Sequence, residues 1–340
     1  AKAIEVHLAY NFDKDEVLAV WKQRPETNDD YEVFGRIMDA GSGAFQTPPF
    51  KISDFVPQTA VARSPSAAYC ATTNEYLVAW PDNRGGTNVE AIYGQFVDDL
   101  GSLISGNFII SDTLNQIFAP EVACNDSTDQ FMVIWSDDRH TSGNLTFDVY
   151  GHLVDAVSRN PTGADFPISD ITNNDEAEKP EIAWNKTDNN FLVVWQEQQG
   201  TRRHIWGQLV QPDGTLIGTD VEISERDGSA ATLNLAWYPD LAWNEDENEY
   251  MVVWRYKKGG EAIFGRRVSN TLTFPGSHFQ ISTFDNSNLS EFERNKPAIA
   301  WSPVDNQYKV VWRHDTIPNT NPFAYEMFGI FLDSVGGTIG

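Results

Sequence analysis

Cysteine is almost missing from this 340-residue chain, which has only Cys70 and Cys124. That excludes a small scaffold built on disulfides, and no Cys/His spacing suited to zinc is present. No run approaches 18 consecutive apolar residues, so nothing reads as a membrane-spanning helix. The opening AKAIEV lacks a basic stretch followed by an apolar one and does not read as a signal peptide; a secreted form would already have lost its leader. Positive charge is scarce as well. With 24 Lys and Arg against 49 Asp and Glu, the net charge of −25 repels nucleic acid and anionic lipid. The acidity reads as a solvated surface; the sharper reading is a surface that recruits Ca²⁺ or basic partners. The HExxH, G-x-S-x-G and P-loop motifs and the Asp-box turns of six-bladed sialidases are all absent.

What is present is a repeat. Trp21, Trp80, Trp135, Trp195, Trp254 and Trp312 recur at intervals of 59, 55, 60, 59 and 58 residues. Fifteen residues before each lies a proline (Pro65, Pro120, Pro180, Pro239, Pro297), with Val6 in the first unit. Twelve before each is alanine, and six before each is Asp or Asn, the residue types that tolerate a tight hairpin. Downstream come an aromatic and a glycine (Gly35, Gly94, Gly151, Gly207, Gly265, Gly329). Five units then close on serine, at Ser53, Ser111, Ser169, Ser224 and Ser282. Each unit resolves into four short runs rich in Val, Ile, Phe, Tyr and Trp, separated by Asn, Asp and Gly.

Six four-stranded units of this length predict an all-β six-bladed β-propeller of antiparallel blades. One domain would span 1–340, with blades at about 6–53, 54–111, 112–169, 170–224, 225–282 and 283–340. The repeat P-x-I-A-W-N…L-V-V-W…I-[YF]-G-Q-x-V…F-x-I-S resembles that of secreted bacterial and archaeal β-propeller proteins, over nearly the whole chain. The resemblance implies fold and an extracellular or cell-surface setting. Its motif consists of packing and turn positions, so no catalytic residue carries over.

The last unit is short of the pattern: after Gly329 fewer residues remain before Gly340 than the other units use to reach their closing serine. The sixth blade is therefore expected to lack its outer strand in cis. A segment of another subunit (Ala1, Lys2, Ala3, Ile4, Glu5) would add it beside Gly329, Ile330, Phe331 and Leu332, building a head-to-tail filament. This gives the leading expectation, a non-enzymatic extracellular structural protein whose partner is itself or a surface ligand. The alternatives are a glycan-binding lectin or adhesin, and a propeller hydrolase with a site at the channel mouth. No cofactor is expected unless Ca²⁺ binds, for which Asp137, Asp138, Asp175 and Glu176 are the candidate ligands. Asn144 and Asn288 are glycosylation candidates in exposed connections; Asn125 and Asn185 match the sequon where Asn recurs for turn reasons. The six histidines fall in different slots, and His152 reads as a strand-surface residue. Cys70 and Cys124, on inner strands of neighbouring blades that are not hydrogen-bonded, are expected to stay unpaired, since a disulfide needs Cα atoms about 4.4–6.8 Å apart.

Overall fold

The computed structural model describes the chain except residues 1–2, 25–30, 55–61, 85–89, 113–115, 141–145, 173–174, 226–234, 258–259, 284–295, 316–324 and 340. The described residues form strands and turns, without a helix. The first sheet holds β1 (Ala3–Asn11), β2 (Glu16–Gln23), β3 (Glu32–Asp39) and β4 (Phe50–Lys51). The second holds β5 (Ser66–Cys70), β6 (Glu75–Asp82), β7 (Ala91–Asp98) and β8 (Leu103–Ile109). The third holds β9 (Ile117–Asn125), β10 (Gln130–Asp137), β11 (Asp148–Asp155) and β12 (Asn160–Pro167). In the fourth are β13 (Glu176–Asn185), β14 (Asn190–Gln199), β15 (Arg202–Val210) and β16 (Leu216–Glu222). The fifth has β17 (Leu235–Asn244), β18 (Glu249–Lys257), β19 (Glu261–Ser269) and β20 (Phe279–Gln280). In the sixth are β21 (Pro297–Ser302), β22 (Gln307–Asp315), β23 (Tyr325–Asp333) and β24 (Thr338–Ile339).

Each sheet is an antiparallel meander in chain order, the blade of a β-propeller. A single parallel bridge, Arg203 to Leu235, joins the fourth sheet to the fifth. The chain divides into two compact units. One comprises 1–174 with 212–215 and carries the first three sheets; the other comprises 175–211 with 216–340 and carries the rest. Within the first, β1 packs on β5 and β5 on β9; within the second, β13 packs on β17 and β17 on β21.

The repeat slots have local physical causes. All six residues six before the tryptophans (Asp15, Asn74, Asp129, Asn189, Asn248, Asn306) have φ between 51° and 55°, the left-handed region that Asp and Asn enter at least cost. Ten before the tryptophans, the side chains of Asn11, Asn125, Asn185 and Asn244 accept backbone N–H groups of the same turn. The closing serines accept the N–H of the third strand: Val33 to Ser53, Ile92 to Ser111, Val149 to Ser169, Ile205 to Ser224 and Ile263 to Ser282, at 2.8–3.0 Å. Second strands are buried on both faces, β6 throughout its length.

The glycine of the aromatic-glycine pair lets the fourth strand close on the third. A Cβ at Gly207 would lie 2.7 Å from Ile223, whereas at Gly329 the nearest atom, on Val311, is 3.2 Å away. Gly207→Ala is therefore expected to cost about 1–3 kcal/mol by overpacking, and Gly329→Ala distinctly less; urea unfolding of the two variants checks the order.

Two expectations are corrected here. The sixth sheet has its fourth strand in cis: β24 pairs with β23 through Phe331–Ile339 and Leu332–Thr338. A two-residue strand set by a tight turn at Asp333–Gly337 needs far fewer residues than the longer closures assumed. The proposed donor segment is occupied too, since Ala3 and Ile4 pair with Gln23 and Lys22 within the first sheet. Secondly, Cys70 and Cys124 form a disulfide, with Cα atoms 5.4 Å apart. β5 and β9 share no ladder, yet packed first strands converge closely enough for a bridge.

Candidate functional site

Among the described residues, four of the first strands carry a β-bulge. In β1, β9, β13 and β17, two residues (Glu5–Val6, Ala119–Pro120, Lys179–Pro180, Tyr238–Pro239) stand opposite the single anchor tryptophan of the second strand. The first of each pair has positive φ, 48–55°. The slot just past the bulge reads His7, Ser66, Glu121, Glu181, Asp240 and Ala298, polar in five of six repeats.

In the first unit these residues converge. Glu121 Oε2 accepts from Ser66 Oγ at 2.8 Å and lies 3.2 Å from His7 Nε2. The Ala67 N–H donates to His7 Nδ1 at 3.3 Å, so in the neutral ring Nε2 carries the proton and points it at Glu121. His7 is one-third exposed and Glu121 mostly buried. Three successive blades thus bring their slot residues to one carboxylate. In the second unit Lys296 reaches from the start of the sixth blade to Glu181 at 3.1 Å. Asp240 takes the N–H of Ile299 at 2.8 Å and that of Leu241 at 2.8 Å.

A second polar network ties blades together. Arg139 bridges Asp137 at 2.6 Å and Asp165 at 2.7 Å while stacking on Tyr150. His152 Nδ1 lies 2.7 Å from Asp165, and His152 is fully buried, correcting its assignment to a strand surface. The preceding blade builds the same latch from Arg84, Asp82, Asp54, Asn107 and Gln95, with amides where His152 and Asp165 stand. A neutral counterpart in the same geometry marks this as packing. Burial alone would raise the Asp165 carboxyl, but hydrogen bonds from His152 and Arg139 more than offset that and hold it below its usual range. Its contribution is present above the unfolded pKa of about 4 and is lost as pH falls through the lower folded value. Melting scans from pH 7 to 3 should show a shallower acid slope for Asp165→Asn than for the parent, with lower stability at neutral pH.

Among the described residues, none of the candidate Ca²⁺ ligands belongs to a grouping close enough to share an ion. Asp137 is buried and spent on Arg139 and the indole N–H of Trp135. Asp138 accepts the Gln116 N–H at 3.1 Å. Asp175 lies just ahead of β13, and Glu176 faces Arg203 at 3.6 Å, its carboxyl raised by burial and by Glu178. Among the described residues, the groupings close enough to share an ion are Asp112–His152–Asp165 and Cys70–Cys124–Asp126. Arg139 already supplies the cation in the first, and the disulfide takes the sulfurs of the second. Asn144 and Asn288, with Ala1 and Lys2, lie outside the described residues. Asn125 and Asn185 are buried turn residues. Gly329 to Leu332 lie inside β23, and Glu5 pairs with Lys22.

No family model matches the chain, and no curated protein matches it in sequence. Solved structures do match in fold. A protein of unknown function from Dyadobacter fermentans DSM 18053 gives a TM-score of 0.66 at 8% identity, over 97% of this chain and 94% of that one. An endo-arabinase from Bacteroides thetaiotaomicron VPI-5482 gives 0.48 at 14%, over 81% and 95%. A GH43 β-1,3-galactosidase gives 0.47 at 10%, over 99% and 94%. Likeness at these identities is one of fold, the β-propeller. The expectation of a strand-donating structural protein is corrected by the chain itself, whose sixth blade is completed in cis and whose Ala3 and Ile4 pair within the first sheet.

Proposed function

We propose that the protein hydrolyses glycosidic bonds by carboxylate acid–base chemistry at the slot past the first-strand bulges. The observation that carries this reading is the meeting of His7 and Ser66 on Glu121. A part-exposed imidazole on a mostly buried carboxylate is a proton relay with access to water. Ser66 spends its hydrogen bond on Glu121, so the three do not make a serine nucleophile activated by histidine. That leaves carboxylate chemistry, carried by Glu121. Glycoside hydrolysis is run by paired carboxylates: one protonates the leaving oxygen, and the other activates water or attacks the sugar. Glu121 is the proton-transfer group in this reading, and His7 reloads it from solvent.

The setting we propose is extracellular, because a disulfide persists in an oxidising compartment. Among the described residues, no helix is long and apolar enough to cross a membrane. The test is a panel of aryl glycosides and neutral oligosaccharides, with release of reducing ends measured for the parent chain and Glu121→Gln. Turnover removed by this change supports the reading. No turnover on any glycoside, or turnover indifferent to the variant, refutes it.

A further inference from the structure

The turn end of the second unit holds an open cleft of about 480 Å³ between the fourth and fifth sheets. It lies beyond Asn185, four residues along β13 from Glu181, and none of the slot residues lines it. Its volume is inside the range of about 300–1,000 Å³ usual for small-molecule sites.

The lining has two characters. Leu209, Ile217 and Leu272 form an apolar floor, with Leu209 and Leu272 themselves buried in the core. Asp188, Asn190, Asn270 and Thr271 supply the polar side. This polar side is fixed in advance. Asp188 Oδ2 accepts the side-chain amides of Asn185 at 3.3 Å, Asn248 at 2.9 Å and Asn270 at 2.8 Å. Those amides come from the β13–β14 turn, the β17–β18 turn and the end of β19, so one carboxylate gathers three segments. Asn190 is buried, with its Oδ1 receiving the Tyr250 hydroxyl at 3.4 Å.

The chemistry of this lining selects its ligand. Among the described residues, no lysine or arginine lines the cleft and the charge there is a carboxylate, so phosphate, sulfate and uronate groups are repelled. Amides and hydroxyls offer paired donors and acceptors of the kind that vicinal hydroxyls satisfy, and a carboxylate is the strongest acceptor available for a hydroxyl. An aliphatic floor opposite suits the C–H face of a sugar ring. We propose that this cleft binds a neutral saccharide, at a site separate from the residues assigned to catalysis. The proposal stands on the cleft's own geometry and not on the assigned reaction.

The experiment is calorimetric titration and saturation-transfer NMR of the full chain with glucose, galactose, mannose, xylose, arabinose, N-acetylglucosamine and glucuronate. Two cleft-filling variants at exposed positions, Thr271→Trp and Thr219→Trp, and one polar variant, Asp188→Ala, are compared, with circular dichroism confirming that each folds. Binding of at least one neutral sugar, weakened about tenfold or more by Asp188→Ala and by a folded tryptophan variant, is expected. If no neutral sugar binds, if glucuronate is preferred, or if the folded variants bind like the parent, the site is not what we propose. Because binding is read without turnover, hydrolysis without binding sinks this proposal alone, and binding without hydrolysis sinks only the assigned reaction.

Discussion

Replacing Glu121 with glutamine is expected to lower kcat on a hydrolysed glycoside by about 10²–10⁴-fold, the range associated with loss of one acid–base group. Glutamine keeps the shape and can still accept from Ser66 Oγ, so folding is expected to survive and KM to move little. What disappears is the group that takes and returns a proton. His7→Asn is expected to do less to the rate, because it removes the imidazole beside Glu121 and leaves the carboxyl in place. Steady-state kinetics on the parent and both variants provide the check. A merely structural Glu121 would give an unstable Glu121→Gln protein with kcat intact in its folded fraction.

The second large effect is on stability. The Cys70–Cys124 bond closes a loop with a sequence separation of 54 residues, linking the second blade to the third. On the chain-entropy account a loop of that length is worth about 4 kcal/mol at 25 °C. Cys70→Ser and Cys124→Ser should each lose a stability increment of that order. The double variant should lose little more, because both single changes break the same bond. Guanidinium unfolding with and without reductant measures it: reductant should destabilise the parent and leave the serine variants unchanged. Reductant-insensitive unfolding of the parent, or intact masses that show two free thiols, would count against the bond. Position 70 adds a second consequence. It is the slot where other repeats place Asn to accept turn amides, so Cys70→Asn is expected to recover part of the loss that Cys70→Ser shows.

Much of the fold was legible because its causes are local. Asp or Asn six before each tryptophan announces a left-handed turn, since few other residues accept that φ. A serine after each closing Ile satisfies the amide of a strand about twenty residues earlier, and the glycine between them is needed because that Ile sits where a Cβ would be. Such rules act over short spans and recur in five or six of the units, so the sequence by itself determined strand order, turn positions and the propeller class. The candidate site was not legible for a definite reason. Reading a strand with period two places alternate residues on opposite faces, but the bulge before His7, Glu121, Glu181 and Asp240 inserts one extra residue opposite the tryptophan and shifts that alternation. The proline slot follows a packing pattern, and its polar neighbour varies in type from repeat to repeat. Tertiary structure alone decided which side chains meet: that His7 and Ser66, 59 residues apart in sequence, share Glu121, and that Cys70 finds Cys124. It also decided that β24 completes the sixth blade with two residues, because the length of an outer strand is set by what the third strand leaves to pair. Local propensity fixes how each blade folds; the approach of one blade to the next, a matter of packed surfaces far apart in sequence, fixes what the blades hold between them.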